Sequence, residues 1–300
     1  MGTPEFSVPG LEALLQNNFN VVAVVTAPDK PSGRGLKLTP SPVKVFAESH
    51  NLPVLQPEKL KNPEFLEELA SYKANLQVVI AFRMLPEVVW DMPEYGTFNL
   101  HASLLPAYRG AAPINWAIIN GEKETGVTTF FLNKDIDTGD VIFQEKTPIS
   151  DHENTESLYN RLMHLGAGLI VKTVQEIQKG TPKTFKQKEE EAQTPAPKIF
   201  KEDCKIDFSK TAEQVRNFIR GMAPYPGAWT EIEGKVCKIL SAEKLLLTAE
   251  MVFPEGKNYT TDHKNYLAFQ TSDGLIAVKE LQMEGKKKMG IQDFFRGNKL

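Results

Sequence analysis

The first 180 residues alternate between strand-like and helix-like patterns, and this constrains the fold more than any other feature of the chain. Residues 21–25 form a short, wholly apolar run, as strands buried on both faces do. Residues 54–55, 76–81 and 97–101 read as further strands. Between them lie helical patterns. Leu11, Leu14 and Leu15 share a face. Residues 40–50 carry Pro42 in a first turn, and residues 62–71 start at Asn62 as N-cap. The longest helix, 154–179, is striped by Leu158, Leu162, Leu165, Leu169 and Ile170 and is stopped by Gly180. Strands alternating with helices predict an α/β domain with a parallel sheet. After Gly180 the pattern changes. Pro182, Pro195, Pro197 and the charged stretch 186–191 give residues 181–200 a linker composition. Beyond it, a helix over 211–221 and short strands over 229–232, 236–240, 266–270 and 275–278 predict a small β-barrel. The domain reading is 1–180, a linker over 181–200, and 201–300.

Charge and composition exclude several classes. A net charge of −3 over 300 residues is not that of a generally basic nucleic-acid coat. The charge is uneven, however: residues 201–300 hold 16 basic against 14 acidic side chains, leaving the negative balance to residues 1–200. No run approaches the ~18 apolar residues of a membrane span, and Met1-Gly2-Thr3-Pro4-Glu5-Phe6 has neither the basic nor the apolar region of a leader. Cys204 and Cys237 match no metal spacing and read as ordinary thiols of a reducing compartment. His50, His152, His164 and His263 are scattered, so no metal is expected. A cytoplasmic location follows.

Four stretches bear on chemistry. In Asn99-Leu100-His101 the two polar residues emerge on one face near the carboxyl end of a strand, where open α/β sheets bind ligands. An amide donor beside an imidazole suits acyl chemistry: one bonds a developing oxyanion, the other handles a proton near neutral pH. A polar strand end with a satisfied histidine is the plainer alternative. Asp135, Asp137 and Asp140 lie in a turn further on, and each could orient His101; a solvated turn explains the same residues. The loop over residues 26–40 is longer than a compact domain needs. It carries Lys30, Arg34 and Lys37, with Lys44 just beyond, against Asp29, a composition that suits a phosphate backbone. With Leu36 and Leu38 as its apolar anchors, the loop is expected to be mobile until a polyanion orders it. Lys286-Lys287-Lys288 could meet phosphates or form a solvated turn.

Taken together these residues resemble the methionyl-tRNA formyltransferases, across essentially the whole chain. The resemblance rests on Gly2-Thr3-Pro4-Glu5-Phe6, residues 28–35, residues 40–44, Asn99-x-His101-x-Ser103-Leu104-Leu105-Pro106, residues 109–114, residues 124–128 and Asp137-Thr138-Gly139-Asp140. Ile206-Asp207-Phe208 through Arg220-Gly221-Met222 to Ala228 add segments particular to the tRNA enzymes. The resemblance implies a Rossmann-like formyltransferase domain followed by an OB-like barrel that grips tRNA. The implied reaction moves a formyl group from 10-formyltetrahydrofolate to the amino group of methionine on initiator tRNA. It singles out Asn99, His101 and Asp137 as the catalytic three. It places the pterin against Phe82, Arg83, Met84 and Leu85, together with Ser103, Leu104, Leu105 and Pro106. For tRNA it implies Lys30, Arg34, Lys37 and Lys286–Lys288, in a monomer without metal. Ser103 has no paired base in any sequence signature, so direct transfer is expected. Two departures stand out. Relatives have an apolar strand before the Met-Gly-Thr-Pro at which this chain begins, so a missing first strand and an internal Met1 are expected. Arg83 stands where relatives often have Gly. The rival readings are a formyltransferase acting on a sugar-nucleotide amine, a folate-hydrolysing relative, and a non-catalytic RNA-binding module.

Overall fold

The computed structural model describes residues 1–32, 37–180, 182–192, 194–247, 251–298 and 300. Arg34 lies outside the described residues, as does the side chain of Lys37. The chain forms two compact units that interleave in sequence, where the expected division was contiguous. Residues 1–110, 125–148 and 159–195 make the first; residues 111–124, 149–158 and 196–300 make the second.

In chain order the elements are α1 (Val8–Gln16), β1 (Val24–Val25), β2 (Lys30–Ser32), β3 (Lys37–Thr39), α2 (Pro42–Ser49), β4 (Val54–Leu55), α3 (Pro63–Ser71), β5 (Gln77–Ile80), α4 (Glu87–Trp90), β6 (Thr97–His101), α5 (Pro113–Ile119), β7 (Glu124–Phe131), β8 (Val141–Pro148) and α6 (Thr155–Gln178). Then follow α7 (Ala212–Met222), β9 (Ala228–Ile232), β10 (Lys235–Leu245), β11 (Tyr259–Thr261), β12 (Leu267–Gln270), β13 (Leu275–Met283), β14 (Met289–Gly290) and α8 (Ile291–Gly297). The helix starts are chemically legible. Ser41 and Asn62 cap α2 and α3 by accepting the N–H groups of Lys44 and Glu64, each with proline as first helical residue. Gly180 follows α6 at φ 128°.

The first unit is Rossmann-like. β1 pairs with β4 and β5 with β6, both in parallel. Residues Met1 and Gly2 lie between β1 and β5: the Gly2 N–H donates to Val25 (3.0 Å), and the Ile80 N–H to Met1 (2.9 Å). The far side of β6 is different. β7 runs antiparallel to it, His101 opposite Thr128, and β8 continues beyond β7. The sheet therefore extends its parallel part with an antiparallel edge. β7 carries no apolar run because Thr125, Thr128 and Thr129 occupy buried positions. Two of the hydroxyls are bonded inside: Thr128 donates to the Ser103 carbonyl (2.6 Å), and Thr129 meets Thr173 (2.9 Å). Val25, Leu55, Phe65, Leu69, Val79 and Val89 form a core against this sheet.

Two segments differ from expectation. The ends of the 26–40 loop are not free: β2 and β3 pair antiparallel, Lys30 opposite Thr39, and Asp29 is tied to Lys44 and Gln56, each at 2.7 Å. The 181–200 stretch, of linker composition, is bonded at intervals. Phe185 pairs with Val141, and the Thr194 carbonyl accepts the Tyr108 N–H (2.6 Å). Backbone groups and single polar side chains do this, so the hydrophobic pattern gives no sign of it.

In the second unit the described strands form an open antiparallel path, β11-β12-β13-β10-β9, with β14 on β13. An irregularity around Ser241 in the β10–β13 register curls the sheet. No closed ring exists among the described residues. Helix α7 starts with a capping box between Thr211 and Gln214 and lays Val215, Ile219 and Met222 on the sheet core of Ile232, Ile239, Phe269 and Ile276. Its end meets α5 closely. A Cβ on Gly221 would lie 2.6 Å from the Ile119 side chain and 3.1 Å from its backbone nitrogen. Asn115 and Thr155 both donate to the Gly221 carbonyl, at 2.8 and 2.6 Å. The buried Arg220 guanidinium bonds Asn217 and the carbonyls of Ser150 and Glu153. The Arg220-Gly221-Met222 segment thus acts as a fastening.

Cys204 and Cys237 are free and almost wholly buried. Burial raises both thiol pKa values, that of Cys237 to about 12. The reactive thiolate is therefore scarce at neutral pH. Titration with a disulfide reagent at pH 7.5 should find neither thiol reactive in the folded protein and both reactive in guanidinium. Rapid labelling of the native chain would contradict this packing.

Candidate active site

Strand β6 is hydrogen-bonded on both edges, which fixes its face alternation. Phe98 and Leu100 enter the core, leaving Asn99 and His101 together on the other face. His101 is 7% exposed. Its Nε2 lies 2.8 Å from the Tyr108 carbonyl, which can only accept, so Nε2 carries a proton. The other ring nitrogen, Nδ1, faces Asp137 Oδ2 at 3.8 Å. Asn99 Oδ1 is the one buried side-chain polar atom without a hydrogen-bond partner among the described residues. A buried acceptor left open costs on the order of 1–3 kcal/mol, so an N–H supplied by a ligand would relieve it.

Of the three candidate acids, Asp137 is the one whose carboxylate lies beside His101. Asp135 is exposed at the outer end of the turn, its N–H bonded to Asn133. Asp140 lends its carbonyl to the Phe131 N–H at 3.0 Å. Asp137 adopts φ 56°, a left-handed conformation costing on the order of 1 kcal/mol for a residue with a side chain. Three contacts hold it there. The Gly110 N–H donates to its Oδ2 at 3.0 Å. Gly139 packs so tightly that a Cβ would overlap the Phe131 carbonyl. Gln187 donates from Nε2 to the carbonyls of Asp137 (2.9 Å) and Gly139 (2.8 Å), while its Oε1 accepts from Arg109 Nε (3.0 Å) and Nη2 (2.8 Å). Gln187 escaped sequence reasoning because a lone glutamine in a charged stretch carries no pattern.

The remaining expected residues fall into three groups. Ser103 is fully buried, and its hydroxyl donates to the Ala107 carbonyl at 2.7 Å. Leu105 is buried, with its N–H on Thr128 and its carbonyl on Gln144; Leu104 and Pro106 are half-buried. Near β5, Leu85 is buried and Met84 exposed. The Arg83 guanidinium donates to the carbonyls of Pro57 and Glu58 and lies 5.6 Å from the Phe82 ring centroid. Arg83 is thus engaged along the 57–58 backbone. Among the basic residues, Lys30 lies exposed in the β2–β3 hairpin, whereas Lys44 is committed to Asp29, whose pKa it lowers. Lys286, Lys287 and Lys288 are exposed between β13 and β14, with Lys288 3.1 Å from Glu280. Among the described residues no three His, Cys, Asp or Glu gather to hold a metal ion, and no helix is long and apolar enough to cross a membrane.

Comparison with known proteins identifies relatives of the whole chain. Residues 1–174 match the formyl transferase family, and residues 198–299 match the formyl transferase C-terminal domain. The methionyl-tRNA formyltransferase of Bacteroides fragilis is 52% identical over 305 residues, covering 99% of this chain and 93% of the relative. That of Parabacteroides distasonis is 53% identical over 309 residues, covering 100% and 94%. Among solved structures, the sugar 3N-formyl transferase WlaRD, determined in the presence of dTDP and 5-N-formyl-THF, shares the fold. It has a TM-score of 0.66 and 24% identity, over 95% of this chain and 97% of that one. HypX from Aquifex aeolicus, in complex with tetrahydrofolic acid, has a TM-score of 0.60 and 21% identity, covering 84% and 44%. With half its residues shared with such relatives over nearly its full length, and with both family domains in order, this chain belongs to the methionyl-tRNA formyltransferase family.

Proposed function

We infer that the chain transfers a formyl group from 10-formyltetrahydrofolate to the amino group of methionine on initiator tRNA. The observation that carries this reading is the β6 face. It sets an unpartnered buried amide oxygen at Asn99 beside an imidazole backed by a carboxylate. The bound donor supplies an activated formyl group; the rest falls to the chain. The attacking α-amine must be neutral, and with a free pKa of about 7.7–8.0 it needs only modest help. Asn99 has two ends for two tasks: its N–H group bonds the formyl oxygen as negative charge develops, and its Oδ1 accepts an N–H from the amine. His101, backed by Asp137, stabilises the same charge and assists the proton leaving the amine. Ser103 is no nucleophile here, because its hydroxyl is buried and spent on Ala107. Transfer is direct.

The pterin lies against the Phe82–Leu85 and Ser103–Leu105 backbone and Pro106. The tRNA is met by Lys30, Arg34 and Lys37 and by Lys286, Lys287 and Lys288, the lysine turn projecting from a domain over residues 201–300 that acts as an OB-like platform. Support comes from the exposed Lys30 of the β2–β3 hairpin and the exposed lysines of the β13–β14 turn, since polyanions are held through such groups. The reading includes a cytoplasmic monomer. A sugar-nucleotide amine is the weaker acceptor. The sugar formyltransferase resembles this chain at 24% identity, less than half that of the tRNA-enzyme relatives.

Incubation with 10-formyltetrahydrofolate and either methionyl initiator tRNA or a panel of amino sugars should formylate the tRNA alone; turnover of an amino sugar in its place would overturn the reading. His101→Ala should lower the single-turnover rate at least ~10²-fold at saturating substrates, with tRNA affinity nearly unchanged. Asp137→Asn should cost more than Asp135→Asn, since an amide cannot stabilise an imidazolium by charge. The reverse ranking, in variants equally folded by circular dichroism, would remove Asp137 from its role.

Arg34→Ala should weaken tRNA binding and reduce its salt dependence by about one phosphate contact. Affinities measured across a salt series test this. An unchanged slope would take Arg34 out of the tRNA interface.

A further inference from the structure

We propose that Gln187 is a positioning residue for the reaction, holding the Asp137 turn in the one conformation that presents its carboxylate to His101. The inference rests on the catalytic reading of Asp137 given above. A glutamine amide has two N–H donors and an oxygen with two lone pairs, and here all are engaged. Both donors serve the turn, at the carbonyls of Asp137 and Gly139. Both lone pairs serve Arg109, through Nε and Nη2. Arg109 precedes Gly110, whose N–H holds the Asp137 carboxylate, and follows Tyr108, whose carbonyl fixes the His101 ring. One side chain therefore joins the segment that grips the histidine to the turn that carries the acid.

Two features make this joint consequential. Asp137 sits at φ 56°, a conformation that persists only where its surroundings over-determine it. The His101–Asp137 separation is 3.8 Å, so a small drift of the turn removes the contact. Gln187 is half-buried, which keeps it out of the core. Removing it should disturb catalysis more than stability.

The test is a double-mutant cycle on the full chain, assayed with 10-formyltetrahydrofolate and methionyl initiator tRNA. Gln187→Ala should lower kcat about tenfold or more, the usual scale for groups that orient catalytic ligands, while both KM values stay within about twofold. Gln187→Glu is nearly isosteric and guards against misfolding. It keeps an oxygen for Arg109 but turns an oxygen towards the two carbonyls, so it should be at least as impaired. In an Asp137→Asn background, Gln187→Ala should cost less than about twofold, because the carboxylate it positions is gone. Equal losses from Gln187→Ala in both backgrounds, or wild-type kcat in both Gln187 variants, would overturn the proposal and leave the role of Asp137 standing. Wild-type kcat in Asp137→Asn alone would overturn the catalytic reading, and this proposal with it.

Discussion

The two-sided hydrogen bonding of β6 is the constraint on which the site depends. A strand bound to β5 on one edge and β7 on the other cannot shift by one residue without turning Phe98 and Leu100 out of the core. Together their burial, roughly 2 kcal/mol for each large apolar side chain, exceeds what the open acceptor of Asn99 costs. The core therefore pins the polar face. Asn99 is held with an unmet oxygen because the apolar neighbours on either side decide where the backbone lies.

The histidine's partners come from segments that the sheet does not order by itself. The turn after Ser103 supplies the Tyr108 carbonyl and the Gly110 N–H, and the turn after β7 supplies Asp137. Each is fixed by its own polar bonds and by the tight packing at Gly139. The site is thus a rigid strand end surrounded by turns, with rigidity imported by hydrogen bonds. Buried threonines on β7 belong to the same scheme: Thr128 takes the Leu105 N–H and returns a bond to the Ser103 carbonyl, securing the chain just past His101.

Much of this was legible in the residues. The 97–101 strand, the single face shared by Asn99 and His101, the cap at Asn62, the first-turn Pro42 and the stop at Gly180 follow from period and local chemistry, which act over a few residues. Choosing Asp137 over Asp135 and Asp140 did not follow from spacing; only the resemblance or the folded turn could make it. The antiparallel β7 was hidden because threonines break the apolar run, and the β2–β3 hairpin because its strands are polar and include Pro31. Gln187 was invisible for a deeper reason: its role depends on two carbonyls and an arginine that are distant in sequence. Hydrophobic periodicity reports what is buried, not which backbone oxygens converge.

The fastening at Gly221 bears on how such a chain can be rearranged. The sheet over residues 228–283 looks like a detachable cassette, yet its unit is completed by α5 and by the 149–158 stretch, both encoded before residue 160. Asn115, Thr155 and the carbonyls of Ser150 and Glu153 all bond to the end of α7. A chimera joined near residue 197 would bring a foreign C-terminal half to these groups, and its helix would need a glycine where Gly221 lies and an arginine where Arg220 lies. Recombination within the family is thereby confined to donors that keep this lock, however far their outer surfaces have diverged.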